Sequence, residues 1–211
     1  MATVLNPSEQ RVLLHNVRWD TYERLLMDLH DSCAPRLTYD RGTLEIMSPS
    51  SEHERYNRII AQIVEELAVE MNIDFDNFGS TTFRREDLDR GFEPDSCFYL
   101  QNVQRVRHKK RIDLTVDPPP DLVIEIDITK SSLDKFAIFS EASVPEVWRF
   151  NGDLLAMHAL RLGAYQEQDS SIIFPTVSAN DLTRLINHSK TMDRPEWVRK
   201  LRLWIQQNLS R

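Results

Sequence analysis

Hydrophobic residues recur along the chain at two kinds of spacing, and together these predict a mixed α/β structure. Steps of three and four residues indicate helices. The clearest stripe runs from Tyr56 to Met71, with charged residues on the opposite side. Ser51 and Glu54 have the spacing of a capping box, which predicts that Ser51 caps the start of this helix. Other helices are predicted over residues 17–29, 131–142, 181–187 and 195–209.

Short apolar or alternating runs between these helices predict strands. Residues 36–47 read as a hairpin around Asp40-Arg41-Gly42, where glycine supplies the positive φ of a tight turn. Asn151-Gly152-Asp153 predicts a second hairpin, joining strands at 144–150 and 154–160. Further strands are predicted over residues 73–78, 81–85, 92–100 and 121–129. This order favours one α/β domain over residues 1–211, with a core at about 15–165 and a helical extension at about 178–211.

The composition is that of a globular protein. The 211 residues are 41% hydrophobic, and no apolar run approaches the roughly 20 residues that span a bilayer. The first ten residues lack the basic segment and apolar core of a signal peptide. Cys33 and Cys97 are therefore expected to be reduced thiols in a cytoplasmic protein, and neither has the spacing of a zinc site.

The charge balance is acidic, with a net charge of −7. A nucleic-acid partner would therefore have to contact a local basic patch, or metal ions that offset the acids. One such patch lies within seven residues, and we call it the basic loop: Arg105, Arg107, Lys109, Lys110 and Arg111. The sequence leaves two interpretations open, a solvated loop or a surface that contacts phosphates.

The predicted strand at 121–129 carries two acids in an apolar run. Side chains alternate along a strand, so Glu125 and Asp127 share one face, and Ile124, Ile126 and Ile128 share the other. Two such charges about 4 Å apart repel each other by several kcal/mol. A raised pKa, a basic partner or a metal cation must offset this repulsion.

Four further residues are considered together with this strand. Asp95 follows Pro94, which belongs near a strand start or edge, and a carboxylate there could join Glu125 in binding Mg²⁺. Lys135 lies early in the predicted helix at 131–142, where its side chain would lean back towards the strand end. It could orient the attacking water or neutralise charge on the phosphate. Asp134 has the spacing of a capping-box residue after Ser131. His53 is expected either to cap and pack its helix or to take an accessory place in the site.

These residues carry a resemblance to a known family. "EPD" at 93–95, "IEI" at 124–126, "DKFAIFSEASVPEVW" at 134–148 and "GTLEIMSPSSEH" at 42–53 resemble the PD-(D/E)XK nuclease superfamily. More narrowly, they resemble a restriction endonuclease-like family abundant in cyanobacteria, over roughly residues 15 to 165. The resemblance implies an α-β-β-β-α-β core and cleavage of DNA that depends on Mg²⁺ or Mn²⁺. It also implies that Asp95 and Glu125 bind the metal.

The chain departs from the superfamily where the motif E-x-K is expected, because it reads Glu125-Ile126-Asp127. Lys135 would then replace the strand lysine, with Lys130 as a second choice. Two functions remain open. One is an endonuclease with Asp95, Glu125, Asp127 and Lys135 as catalytic residues, and the other is an inactive module that binds nucleic acid or a protein. The stripe Trp197, Leu201, Trp204 and Ile205 predicts either docking of the last helix or a homodimer interface.

Overall fold

The computed structural model describes residues 9–29, 35–129 and 133–209, and within them it shows a mixed α/β fold with two sheets. The strands are β1 (Gln10–Leu14), β2 (Arg36–Asp40), β3 (Thr43–Ser48), β4 (Asp76–Asn77), β5 (Phe83–Arg85), β6 (Arg90–Phe92), β7 (Ser96–Tyr99), β8 (Leu122–Ile126), β9 (Glu146–Phe150), β10 (Leu155–Arg161) and β11 (Ala164–Gln168). The helices are α1 (Trp19–Leu29), α2 (Ser51–Glu70), α3 (Val103–Val106), α4 (Lys135–Glu141), α5 (Ala179–His188) and α6 (Arg194–Leu209), with a 3₁₀ turn at Glu86–Leu88. The predicted fold class is confirmed.

The sheets are connected through the segment that carries Asp95. The first has the strand order β1-β3-β2-β6-β5 and the second the order β11-β10-β9-β8-β7-β4. In the second sheet β8 and β9 run parallel, with α4 as their crossover, and the other neighbours are antiparallel. The elements α2, β4, β7, β8, α4 and β9 occur in the α-β-β-β-α-β order that the resemblance implies, with β5, the 3₁₀ turn and β6 inserted after β4 and α3 inserted after β7.

Helices cover the two faces of the second sheet. On one face, α2, α5 and α6 bury a large apolar cluster that includes Ile60, Trp148 and Trp197. Ile124 and Ile126 belong to this cluster and Ile128 packs against it, as the strand alternation predicted. On the other face, α4 covers a second cluster, where the buried Cys97 is a free thiol. Cys33 lies outside the described residues.

The closing helix docks on its own chain. Trp197, Leu201 and Ile205 are buried in the large cluster, and Trp204 packs against it. The docking interpretation of this stripe is therefore correct. Among the helices in the described part of the chain, none has both the length and the apolar character needed to cross a bilayer.

Several predicted boundaries were wrong, each for a local reason. The strand predicted over 92–100 is split at Pro94, so that its halves join different sheets. The N-cap of α2 is Ser50, whose hydroxyl accepts a hydrogen bond from the His53 amide at 3.1 Å, so Ser51 is already helical. In α4, Asp134 is itself the N-cap. The helix therefore begins at Lys135, and Lys130, Ser131 and Ser132 lie outside the described residues.

Candidate active site

Strands β7 and β8 bring Asp95 and Glu125 together. The antiparallel register pairs Ser96 with Ile124, so the next pair across the strands is Asp95 and Glu125. Asp95 Oδ2 accepts a hydrogen bond from the Ile126 amide at 2.6 Å. Each of the two acids is only 1% exposed. Burial of this kind is costly for carboxylates unless cations or donors surround them.

Residues from the first sheet and from α2 hold Asp95. Arg36 on β2 forms an ion pair with Asp95 Oδ1 and a second ion pair with Glu54. On the other oxygen, His53 Nε2 lies 3.2 Å from Asp95 Oδ2. Asp95 is therefore fixed by an arginine, a histidine and a backbone amide.

Glu125 and Asp127 each have a cation of their own. Lys135, the first residue of α4, forms an ion pair with Glu125 Oε2, which places it where the lean of the helical side chain predicted. Arg149 on β9 donates to Asp127 Oδ2 from Nε at 2.8 Å and from Nη2 at 2.6 Å. Burial raises the pKa of Glu125, the charge of Lys135 opposes that shift, and the charge of Asp127 adds to it. Two adjacent acids are thus tolerated because a separate cation balances each one.

His53 is completely buried inside this cluster. Burial, together with the nearby charges of Arg36, Lys135 and Arg11, lowers its pKa to about 3. At neutral pH the ring is uncharged, so it contacts Asp95 as a neutral imidazole. The His53 amide also donates to the Ser50 hydroxyl in the cap of α2, so the residue both caps its helix and lies beside Asp95.

Several residues of the cluster were not predicted from the sequence. Glu9 Oε1 lies 3.6 Å from His53 Nε2, and Arg11 on β1 donates to Glu45 Oε1 at 2.8 Å. Arg11 Nε also donates to Thr129 Oγ1 at 3.2 Å, which links β1 to the segment that follows β8. A usable signal existed only for Glu45, an acid between the apolar Leu44 and Ile46 of a predicted strand. Arg149 gave no signal, because its importance arises from the strand register.

The basic loop lies away from this cluster. It connects the end of β7 to the start of β8, whereas Asp95 and Glu125 lie at the opposite ends of those strands. Tyr99 is four residue steps along the extended chain from Asp95, which is about 13 Å. Arg107 pairs with Asp74, and Lys109 Nζ lies 2.6 Å from Asp117 Oδ1. Arg105, Lys110 and Arg111 are exposed and form no ion pair within the described residues.

Comparisons with known proteins identify the family of the chain. Residues 19–185 match the Uma2 family, whose description reads "Putative restriction endonuclease". The chain belongs to this family. A crystal structure of a "putative nuclease belonging to DUF820" from Anabaena variabilis ATCC 29413 matches with a TM-score of 0.51, at 12% sequence identity over 76% of this chain and 96% of that chain. Since the identity is low, this likeness shows a shared fold alone. No curated protein matches the chain.

Restriction endonuclease-like proteins, the class to which the Uma2 family belongs, generally use divalent metals, and the residues here fit such an ion. Mg²⁺ is commonly held by one or two carboxylates together with water and substrate phosphate. Asp95 and Glu125 supply two adjacent carboxylates, and the buried Glu125 Oε1 accepts no hydrogen bond from the described residues. Within those residues no group of three or more His, Cys, Asp or Glu side chains could hold a metal. The two carboxylates are therefore suited to an ion whose remaining ligands are water and substrate.

Three cavities surround the cluster in this Uma2 protein. The largest is a cleft of about 1020 Å³ that reaches Arg36 and Asp95 along α2. A second cleft, of about 710 Å³, lies between β10 and the start of α5 and reaches Asp127 and Arg149. A small cavity of about 50 Å³ shares Asp127 and Arg149 with the second cleft and is also lined by Glu125, Lys135 and Phe136 among others. The carboxylates are therefore approachable from more than one side.

Proposed function

We propose that this protein is a metal-dependent endonuclease that hydrolyses phosphodiester bonds in DNA. The observation that carries the proposal is the buried pair of Asp95 and Glu125 across β7 and β8, with Lys135 of α4 on Glu125. The family membership supports the same reaction class. A buried cluster of acids and cations at strand ends also has the perturbed electrostatics typical of a reactive site.

Asp95 and Glu125 would hold the ion, Mg²⁺ or Mn²⁺. When bound, it would supply a Lewis acid that lowers the pKa of water and offsets phosphate charge. Arg36 and the neutral His53 hold Asp95 in place, so that this carboxylate needs little reorganisation on binding. Lys135 would donate hydrogen bonds to the phosphate oxygens or orient the attacking water. Its positive charge would offset negative charge in the buried site.

A second candidate function is an inactive module that uses the same cleft to bind nucleic acid or a protein. One observation favours it: Asp127 stands where E-x-K proteins have lysine, and it pairs with Arg149. In addition, Arg36 and Lys135 already neutralise Asp95 and Glu125. A metal would have to compete with these cations, which weakens its binding.

Cleavage of supercoiled plasmid with Mg²⁺, with Mn²⁺ and with EDTA tests the proposal. The parent should nick or linearise the plasmid with metal and not with EDTA. Glu125→Gln and Asp95→Asn should each abolish most cleavage because each removes an anionic ligand. Asp87→Asn, on the 3₁₀ turn away from the cluster, is the matched control and should keep parental activity.

Metal binding supplies an independent measurement. Mn²⁺ should raise the melting temperature of the parent because only the folded chain assembles the site. Asp95→Ala should remove that increase, and an unchanged increase would contradict the assigned ligands. A parent that binds DNA and cleaves with none of the metals would favour the binding module instead.

A further inference from the structure

Arg149 occupies a position that the proposed reaction does not yet use. The parallel register of β8 and β9 pairs Arg149 directly with Glu125. Asp95, Glu125 and Arg149 therefore form a row across three neighbouring strands of the second sheet. The side chain of Arg149 lies on the α4 face of the sheet, since its guanidinium is 4.7 Å from the ring centre of Phe136.

The guanidinium of Arg149 is held on two sides but is not buried. Phe136 stacks against it, and Asp127 accepts two hydrogen bonds from it on a single oxygen. The side chain of Asp127 is 9% exposed, whereas that of Arg149 is 41% exposed. Arg149 Nη1 donates no hydrogen bond within the described residues. The Arg149 guanidinium is therefore held in position with one edge open to solvent. A fixed guanidinium with free N–H groups is suited to bind a phosphate.

The surroundings of Arg149 give it access to a substrate. With Lys135, it lines the small cavity that contains Glu125. It also lines the open cleft of about 710 Å³ beside α5. Arg149 thus lies where the pocket around Glu125 opens to the surface.

We infer that Arg149 binds a backbone phosphate of the nucleic acid beside the reacting bond, and that Asp127 is the residue that positions it. The inference rests on the proposed function. Asp127 stands at the position of the missing strand lysine. By holding Arg149 of the next strand, it would supply positive charge there indirectly. Exposed Glu167 and Asp169 also line the open cleft, and their negative charge disfavours further phosphates there. Only the phosphate that Arg149 itself reaches is therefore assigned to this cleft.

The competing explanation is that Arg149 only neutralises Asp127. An arginine removed from such a pair leaves a nearly buried carboxylate without its cation, which destabilises the fold. Arg149→Ala alone could therefore lose function by unfolding. The double variant Asp127→Ala/Arg149→Ala removes both charges, so it separates the two explanations.

The experiment measures binding of a fluorescent DNA duplex at a series of KCl concentrations, with CaCl₂ in place of MgCl₂. Each lost phosphate contact lowers the slope of log K against log salt by about 0.9. The double variant should lose about one contact, and Arg149→Lys should retain it. Asp127→Asn should keep the parental slope, because the arginine charge remains, but should bind DNA more weakly, because the guanidinium is no longer held by a carboxylate. The control Arg85→Ala/Asp87→Ala removes a comparable ion pair elsewhere and should keep the parental slope.

Plasmid cleavage by the same variants completes the test. The double variant should melt near the parental temperature but cleave more slowly, and Arg149→Lys should recover part of the rate. A double variant with parental slope and parental rate would overturn the inference while leaving the proposed function standing. A parent that neither binds nor cleaves DNA would overturn both.

Discussion

At the scale of single residues, the cluster is organised as acids that each have a separate cation. Asp95 pairs with Arg36, Glu125 with Lys135 and Asp127 with Arg149. Removing one member of a buried pair typically costs 3 to 5 kcal/mol, because the remaining charge is left without compensation. Function and stability are therefore coupled here, and variants must be tested for folding together with activity.

Lys135→Ala should remove most cleavage while leaving metal binding nearly intact, because lysine is not a metal ligand. Loss of one preorganised donor typically costs about 2.7 to 4 kcal/mol, or roughly a hundred- to a thousandfold in rate. The measurement is plasmid cleavage together with the Mn²⁺-dependent shift in melting temperature. Lys200→Ala, on α6, is the matched control. Full activity in Lys135→Ala would exclude a catalytic role for this lysine.

The site could be predicted from sequence only where the sequence carries a local pattern. Alternation along β8 placed Glu125 and Asp127 on one face, and the lean of helical side chains placed Lys135 near Glu125. Arg36 and Arg149 could not be predicted, because they approach through strand pairings that no local pattern encodes. The sequence required a raised pKa, a basic partner or a metal cation beside these two acids, but it did not identify Arg149 as the partner of Asp127.

At the scale of elements, Glu146 shows how one buried acid joins separate segments. It begins β9 and accepts hydrogen bonds from Trp148 Nε1 at 2.7 Å, Ser171 Oγ at 3.2 Å and the Ile173 amide at 3.2 Å. These hydrogen bonds attach the segment at Ser171 and Ile173, which precedes α5, to the second sheet. Burial raises the pKa of Glu146, although the donors around it oppose the shift.

This shift predicts a pH dependence of stability. Since the pKa is higher in the folded state, the unfolded chain ionises first as the pH rises above about 4.5. The contribution of Glu146 is therefore fully present below that pH and is lost as the pH rises through its folded value. Urea unfolding of the parent and of Glu146→Gln from pH 4.5 to 8 should show the parent losing free energy of unfolding relative to the variant. A difference that does not change with pH would contradict this account.

The removal of the hydrogen bonds is tested separately by Glu146→Ala. This change leaves the buried Trp148 indole without its acceptor, which typically costs about 1 to 3 kcal/mol. The Ile173 amide keeps Ser171 Oγ as an acceptor at 3.1 Å. Its melting temperature should fall at every pH, and should fall further than that of Glu146→Gln, which keeps an acceptor oxygen. Equal melting temperatures for the two variants would show that these bonds contribute little.

Elements with strong periodicity were predictable, and short edge strands were not. The long stripe of α2 and the two glycine turns were found because their signals are local. Strand β1 was missed because five partly exposed residues carry little pattern, yet it brings Glu9 and Arg11 to the cluster. Strand β11 was missed for a similar reason, since its sequence AYQEQ is largely polar.

At the scale of the whole molecule, the charge distribution limits how DNA could be bound. The net charge of −7 repels a polyanion, so binding requires local cations at the right places. Within the basic loop, Arg107 and Lys109 are already engaged by acids of the same chain. Arg105, Lys110 and Arg111 are exposed, at the ends of β7 and β8 away from Asp95.

The basic loop should therefore contribute through these three exposed residues more than through the paired two. Arg105→Ala/Lys110→Ala/Arg111→Ala should weaken DNA binding and flatten its salt dependence, by about 0.9 in slope for each contact that is lost. The fold should survive because exposed charges contribute little to stability. Arg107→Ala/Lys109→Ala is the matched comparison and should change the slope less, since those charges are balanced internally. Titrations of a fluorescent duplex at several salt concentrations measure both slopes. A triple variant with the parental slope would show that the loop does not touch DNA, and that the phosphate contacts lie nearer to the row of Asp95, Glu125 and Arg149.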